Sequence, residues 1–174
     1  DVFARWLTEL GKTTRSQAQT ANLMLDYNPS ERDFLNFSSN ITYSPNKVRQ
    51  NRVEIIMRDA AGDLDSTLQN RSRLDEDQLN LTFDLNYERK LKKEGATLKA
   101  NAHYTYYELS RQQAGFSEYF DAAGNFLSDF AFSTDAFQGI DIYTGQLDYY
   151  TPVTSGGFET GVKGSFIQTD SRID

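Results

Sequence analysis

The sequence predicts an all-β fold, an antiparallel up-and-down meander of about six strands. Apolar and polar residues alternate with a period of two along several segments, which is typical of strands with one apolar and one polar side. Aromatic residues make up 13% of the chain and favour strands over helices. Three stretches also share a Leu-Asp/Asn-Tyr core, centred at Leu25, Leu85 and Leu147, so one supersecondary unit repeats at intervals of about 60 residues.

Composition excludes several classes of protein. The 174 residues carry a net charge of −7 without a basic stripe, so we expect no nucleic-acid partner. A mean hydropathy of −0.64 and the lack of a continuous apolar run argue against a transmembrane helix. The chain has no cysteine, which excludes disulfides and thiol chemistry. Because it starts at Asp1 without a signal peptide and stops at Asp174 near a predicted strand end, we expect it to be a piece of something longer.

The elements follow in order from the alternation. Residues 1–20 are weakly patterned and are predicted to be an irregular or helical lead-in, whereas 21–174 form the repeating part. The first unit has strands over 21–27 and 35–43, joined by Asn-Pro-Ser turn chemistry at 28–30. The second unit has strands over 79–87 and 98–106 around a basic turn. The third contains Leu147 and Tyr149, turns at 151–157 and returns over 158–166.

The long connections between the units resemble one another. Asp59-Ala-Ala-Gly62 and Asp121-Ala-Ala-Gly124 are identical tetrapeptides, and each is flanked by residues that favour strands. Aspartate first and glycine fourth suits a type I turn followed by a residue with positive φ. We therefore predict that the long loops are protruding hairpins. Short turns on one side and long loops on the other are typical of an outer-membrane barrel.

Alternation alone fits both a soluble sandwich and a membrane barrel, because both need a period of two. Three features favour the barrel. Tyr27, Tyr87 and Tyr149 end the apolar face just before the short turns, where an interfacial aromatic girdle would lie. The opposite face is rich in polar residues that suit a hydrated interior. The apolar stretches are also near the ten residues that a tilted strand needs to cross a bilayer.

The last repeat resembles the outer-membrane β-barrel segment of TonB-dependent-receptor-like proteins of Bacteroidetes. The resemblance rests on Gln-Leu-Asp-Tyr-Tyr-Thr-Pro-Val from Gln146 and Gly-Phe-Glu-Thr-Gly-Val-Lys-Gly-Ser-Phe from Gly157, in that order. Val153 and Phe158 stand where the family usually has leucine. The hairpin that begins at Asp121 and the repeat over 79–107 are similar as well, so the resemblance covers the chain from about Ala21 to its end.

The resemblance implies a 22-stranded barrel in the outer membrane with an N-terminal plug, of which this chain would be a fragment. It implies uptake or binding of a nutrient at the cell surface, with outer-membrane lipid around the barrel. It also implies an energy-coupling protein and a surface lipoprotein as partners of the full-length protein. No plug and no coupling box are visible in the sequence. Catalysis, a cofactor and a bound metal are not expected.

Two other functions stay open at this point. One is a soluble cell-envelope β-sandwich that binds carbohydrate or protein, since aromatic-ended strands also occur in soluble sheets. The other is a structural outer-membrane protein without a transport role. These alternatives differ in what covers the apolar face: a second sheet in the sandwich, lipid in the barrel.

Few residues are candidates for chemistry. His103 is the only histidine, and we expect it to be a polar residue of the strand rather than a general base acting with Ser165. The acidic residues around Asp59 and Asp75 do not have EF-hand spacing, so solvated charge is favoured over a Ca²⁺ site. The second long loop is unusually aromatic and is the candidate contact surface for a ligand or partner. Its residues are Phe116, Tyr119, Phe120, Phe126, Phe130, Phe132 and Phe137.

Overall fold

The computed structural model describes residues 5–174, and within them all regular structure is β. Seven strands form one antiparallel sheet in the order β1-β3-β4-β5-β6-β7, and β2 also pairs with β3. No helix in this part of the chain is long and apolar enough to cross a membrane. The strands are β1 (Arg5–Arg15), β2 (Gln19–Ser30), β3 (Asp33–Arg58), β4 (Leu64–Lys90), β5 (Thr97–Asp121), β6 (Phe126–Val153) and β7 (Gly156–Ile173).

The predicted meander is confirmed, with one difference in strand count. Strand β1 pairs with the second half of β3, from Val48 to Arg58, and β2 pairs with its first half, from Asp33 to Tyr43. The two strands therefore lie end to end along the same edge of β3, with an interruption at residues 16–18. The six predicted strands correspond to β2 to β7, and β1 is the additional strand.

The prediction of an irregular or helical lead-in is wrong for residues 5–15, which form β1. Local patterning is weak there because both sides of β1 are exposed, and pairing with β3 rather than a buried face holds the strand. Residues 1–4 lie outside the described part of the chain. A division of the chain into 1–20 and 21–174 stays a prediction.

The short turns are tighter than the sequence indicated. Residues 28–30 belong to β2, where the register shifts between Tyr27 and Ser30, and the chain reverses at residues 31–32. Strands β6 and β7 are joined by residues 154–155 alone. Residues that favour turns therefore occur in these segments at the bulge and at the strand ends, and not only where the chain reverses.

The long connections are extensions of the strands, as predicted. Strands β3 and β4 continue to a turn at residues 59–63, and β5 and β6 continue to a turn at 122–125. In the first turn, the Asp59 carboxylate accepts hydrogen bonds from the backbone N–H groups of Ala61, Gly62 and Asp63 at 2.9–3.0 Å. Gly62 and Gly124 have φ of 95° and 82°, which a residue with a Cβ adopts only with strain.

The sheet is a single layer. Among the described residues, Ala96 is the one buried hydrophobic residue, whereas Leu25, Phe166 and many other large apolar side chains are exposed. No second sheet covers the apolar face within residues 5–174. The soluble sandwich therefore lacks its defining second layer in this part of the chain.

The repeat places equivalent residues side by side. Leu25 pairs with Phe37, which pairs with Leu85, so the first two repeats lie on one row of the sheet. In the third repeat, Leu147 lies level with Tyr87, because both pair with Ala100 of β5. The third repeat is thus displaced by one two-residue step.

Candidate functional site

The apolar face carries a continuous aromatic row across five strands. Neighbouring rings in this row have centroids 4.8–6.3 Å apart, within the range for favourable aromatic pairs. Alternation in the paired strands puts all of these rings on the same side. The row consists of Phe37, Phe83, Tyr104, Tyr143 and Phe166.

Carboxylates mark the two edges of the apolar face, and tyrosine hydroxyls bond to them. Near the short turns, the Tyr87 hydroxyl donates to Asp33 Oδ1 at 2.6 Å. On the far side of the aromatic row, the Tyr104 hydroxyl donates to Asp141 Oδ1 at 2.7 Å. The Tyr106 hydroxyl donates to Glu108 at the same far edge. An uncovered apolar surface thus lies between two edges where charge reappears.

The apolar surface between these edges, called the belt below, has the height of a bilayer core. Arg89 pairs with Asp33 at one edge, and Leu81 lies on the row of Asp141 at the other. The distance along β4 is about nine residues, which matches the 9–11 residues of a tilted transmembrane strand. Strand β4 has 27 residues, so about 17 of them, roughly 55 Å along the strand, lie beyond the belt.

The predicted girdle residues lie at the belt edge nearest the short turns. Tyr27 and Tyr87 share a row with Leu35 between them, and Tyr149 lies one two-residue step closer to the turns. Tyr27 is 62% exposed. The three side chains therefore lie within one two-residue step of each other along the strands, near the short turns where the sequence placed them. Their role as an interfacial girdle stays a prediction.

The opposite face of the belt is polar and hydrogen-bonded from strand to strand. Asn36 donates to Asp26 at 2.7 Å, Asn86 donates to Asn36 at 3.1 Å, and Asn101 donates to Asn86 at 2.5 Å. This amide row crosses β2 to β5. Each amide satisfies its neighbour, so the row suits a hydrated surface and leaves few groups to bind a specific ligand.

His103 lies in the same polar face and is held between two neighbours. Its Nδ1 is 2.7 Å from Asp84 Oδ1, and its Nε2 is 2.9 Å from Thr105 Oγ1. The Ser165 hydroxyl is bonded to Thr144 instead, at 3.1 Å, so the structure does not join Ser165 to the histidine. The backbone N–H groups of β5 are used in the ladders with β4 and β6, which leaves no donor pair beside His103 for an oxyanion.

The aromatic residues of the second long hairpin lie on both of its faces. Phe120 and Phe126 pack edge to face at its tip, with centroids 6.3 Å apart, and Phe130 and Phe132 pack at 6.2 Å. The Phe132 ring lies over Gly115, where a Cβ would clash with the ring.

The other three residues of the predicted contact surface also lie on different sides of the sheet. Phe116 is on the side of the sheet opposite Tyr119 and Phe132, because odd and even positions of β5 alternate. Phe137, farther down β6, lies under the Arg172 guanidinium at 5.8 Å. The structure thus brings these residues together in pairs rather than in one patch, and their contact role stays a prediction.

Sequence reasoning missed a charged cluster on the polar face beyond the belt, formed by Lys47, Arg49, Glu76 and Arg111 and called the Glu76 cluster below. Glu76 accepts hydrogen bonds from Lys47 Nζ at 2.7 Å and from Arg111 Nη2 at 2.8 Å and Nε at 3.2 Å. Its side chain is 8% exposed. The Lys47 ammonium and the Arg111 guanidinium hold the pKa of Glu76 below its usual range against the opposing effect of desolvation.

A bulge brings Lys47 into this cluster. The register of β3 shifts between Ser44 and Lys47, where Asn46 has a φ of 54° and its backbone N–H donates to Asp77 Oδ1 at 2.6 Å. After the bulge, odd positions of β3 share the polar face. The signal available in the sequence was parity, since Glu76 is eight residues from Asp84 in an uninterrupted strand and so lies on the same face.

The acidic residues of the first long hairpin are separated by the fold. Asp59 caps its turn, Asp75 forms a two-point ion pair with Arg73 at 2.7–2.8 Å, and Glu76 points to the other side of β4. Within residues 5–174, no group of three or more histidine, aspartate or glutamate side chains is arranged to hold a metal ion.

The family comparison agrees with this geometry. Residues 89–174 match the family model of the outer membrane protein beta-barrel family. No curated protein matches the chain. The matched strands are hydrogen-bonded through β4 and β3 to the rest of the sheet. The chain is therefore an outer-membrane β-barrel protein, and its location is the outer membrane, as the sequence predicted.

This assignment identifies the environment of each face of the sheet. In a barrel of this class the apolar side faces lipid and the polar side faces the interior. The belt, with its aromatic row, is then the lipid face, and the amide row and the Glu76 cluster belong to the interior face. An outer-membrane location also accounts for the exposed apolar surface, which lipid covers.

Proposed function

We propose that the chain is part of the wall of a receptor or transport barrel that takes up or binds a nutrient at the cell surface. The supporting observation is the height of the wall. Strands β3 to β6 each have 25–28 residues, whereas about ten are enough to cross the bilayer. The extra length forms a wall beyond the membrane, which a receptor or transport barrel can use to capture a solute.

The wall beyond the belt gives the barrel an entrance at the cell surface. Its interior face carries the Glu76 cluster and the paired rings of Phe130 and Phe132, so both charged and aromatic groups are available to a solute. In this proposal the full-length protein adds a plug and works with an energy-coupling protein, in line with its similarity to TonB-dependent-receptor-like barrels. A surface lipoprotein is a further proposed partner, and we propose no catalytic role.

Growth of cells with and without the gene tests this proposal. A deletion strain and its complemented control would be compared on defined single sources of carbon, iron and phosphate. We expect slower growth on at least one source, and the same defect when the energy-coupling protein is removed. Normal growth on every source together with a leaky envelope would contradict uptake and favour the structural role.

A shortened variant separates the entrance from the barrel. Replacing residues 52–71 with a two-residue turn removes the outer part of the β3–β4 hairpin and keeps the belt. We expect this variant to insert into the outer membrane and to show the growth defect of the deletion strain. Full growth with the shortened hairpin would show that the wall beyond the belt is not needed for uptake.

A further inference from the structure

We propose that the Glu76 cluster binds an anionic group, a carboxylate or a phosphate, of the solute that enters the barrel. This inference rests on the proposed function and names the chemical class of its solute. The site lies on the interior face beyond the belt, and its central residue is Arg49.

The charge of this region is opposite to that of the chain. The chain as a whole carries −7. On the interior face between the row of Gln78 and the row of Asn70, however, the register places four cationic residues. Within the described strands, this region contains a single carboxylate, that of Glu76. The cationic residues are Lys12, Lys47, Arg49 and Arg111. A concentration of one charge within a cleft attracts ions of the other sign.

Glu76 organises this charge but does not neutralise it. Its two oxygens are occupied by Lys47 and Arg111, and it is the most buried member of the cluster, with 8% exposure against 34% for the Lys47 side chain and 44% for the Arg111 side chain. The carboxylate therefore fixes the positions of two cations whose outer sides stay accessible. Groups held in place in this way lose less conformational entropy when a ligand binds.

Arg49 has no protein partner for its charge in the described part of the chain. Its Nε is buried and makes no hydrogen bond within residues 5–174, although buried donors are normally satisfied. Arg49 lines a cavity of about 390 Å³ together with Lys47, Glu76, Arg111 and the amide of Gln113. A guanidinium binds carboxylate or phosphate through two parallel hydrogen bonds, so an anion in this cavity would satisfy the group.

The opposite side of the same strand supplies a matched control. Arg52 lies three residues from Arg49 in β3 and, by alternation, on the exterior face, where it pairs with Arg71 of β4. Arg49→Gln and Arg52→Gln therefore remove the same charge from the same strand on opposite faces. Only the first change removes charge from the proposed site.

Calorimetric titration of the protein, extracted from outer membranes into detergent micelles, tests the proposal. The probes are inorganic phosphate and citrate, with glucose as the uncharged control. We expect one of the two anions to bind, and its affinity to fall at least tenfold in Arg49→Gln, less in Arg49→Lys, and less than twofold in Arg52→Gln. The preferred anion identifies the phosphate or the carboxylate as the ligand group.

The inference would be overturned if neither anion binds, if glucose binds equally well, or if both glutamine variants weaken binding to the same extent. Should Arg49→Gln fail to fold, Lys47→Gln and the loss of affinity with added NaCl test the same site in folded protein. Uptake of the labelled anion by cells is measured separately. Binding without uptake would contradict the proposed function alone, whereas a growth phenotype without anion binding would contradict this inference alone.

Discussion

Individual side chains hold the two faces of the sheet through different kinds of cross-strand contact. On the lipid face the contacts are between rings, as between Tyr104 and Tyr143 at 4.8 Å. On the interior face they are hydrogen bonds between amides, hydroxyls and charges, as between Asn86 and Asn36. With almost no buried core, these side-chain pairs and the backbone ladders hold the sheet together.

Replacing Glu76 tests the largest of the polar contacts. Glu76→Gln removes the negative charge that Lys47 and Arg111 share. We expect the free energy of unfolding to fall by about 2 kcal/mol, as for the loss of a hydrogen bond to a charged group. Urea unfolding in micelles measures the change. Glu9→Gln, on an exposed position of β1, is the matched control and should have little effect.

The effect of Glu76 also depends on pH. Lys47 and Arg111 lower the pKa of Glu76 in the folded protein, so the unfolded chain takes up its proton first as the pH falls. The stabilisation by Glu76 is then fully present above its ordinary pKa of 4.5 and is lost as the pH falls below that value. Unfolding at pH 7 and pH 3 should differ less in Glu76→Gln than in the native protein, and an equal difference would contradict this account.

The hairpin turns depend on glycine at one position each. Gly124 has a φ of 82° and nothing within 4 Å of where a Cβ would lie, so Gly124→Ala costs backbone strain alone. We expect the free energy of unfolding to fall by about 1 kcal/mol, the usual penalty for a residue with a Cβ in the left-handed conformation. Gly145→Ala, with equal space and no positive φ, should leave the unfolding midpoint unchanged. Equal effects of the two changes would show that the turn geometry is not the cause.

At the scale of the strands, one element serves two environments. Strand β4 crosses the belt with alternating apolar and polar residues from Leu81 to Arg89 and then continues to Leu64 with charged residues on both sides. The belt segment reads clearly in the sequence because lipid selects one apolar face. The segment beyond it is in water on both sides, so no period of two is imposed and the sequence suggested a loop with a hairpin in it.

Labelling along β4 tests where the belt lies. The chain has no cysteine, so single-cysteine variants at exterior positions 79, 81, 83, 85 and 87 can carry a spin label without background. We expect access to oxygen to be highest at Leu85, in the middle of the belt, and access to a water-soluble nickel complex to rise towards both ends. Uniform access to nickel along these positions would place the segment outside the bilayer.

The sequence predicted the structure where a single environment, such as lipid, selects the residues of one face. It did not predict the structure where only pairing with a neighbouring strand determines the conformation. The sequence placed Tyr27, Tyr87 and Tyr149 to within one two-residue step, because each precedes a short turn. Strand β1 could not be predicted from its own residues, since Trp6 and Leu10 are exposed and only the ladder with β3 makes it a strand. The Glu76 cluster depends on a bulge that brings Lys47 to the interior side, and no local pattern shows that shift.

At the scale of the whole molecule, the sheet has two edges that the described residues leave unpaired. Strands β1 and β2 form one edge and β7 forms the other, and all three are exposed along their length. Unpaired edges of this length invite pairing with further strands. In the outer membrane these edges would be closed by the neighbouring strands of a larger barrel, which removes the exposed backbone groups from lipid.

The apolar side of this sheet faces lipid, and the polar side faces water. The most direct measurement compares Phe83→Trp with Thr82→Trp, neighbours on opposite faces of β4, in a Trp6→Phe background. We predict that lipids with brominated acyl chains quench the tryptophan at 83 and not the one at 82, which aqueous iodide should quench instead. Equal quenching of both by lipid, or quenching of neither, would contradict the account and leave the apolar face covered by protein.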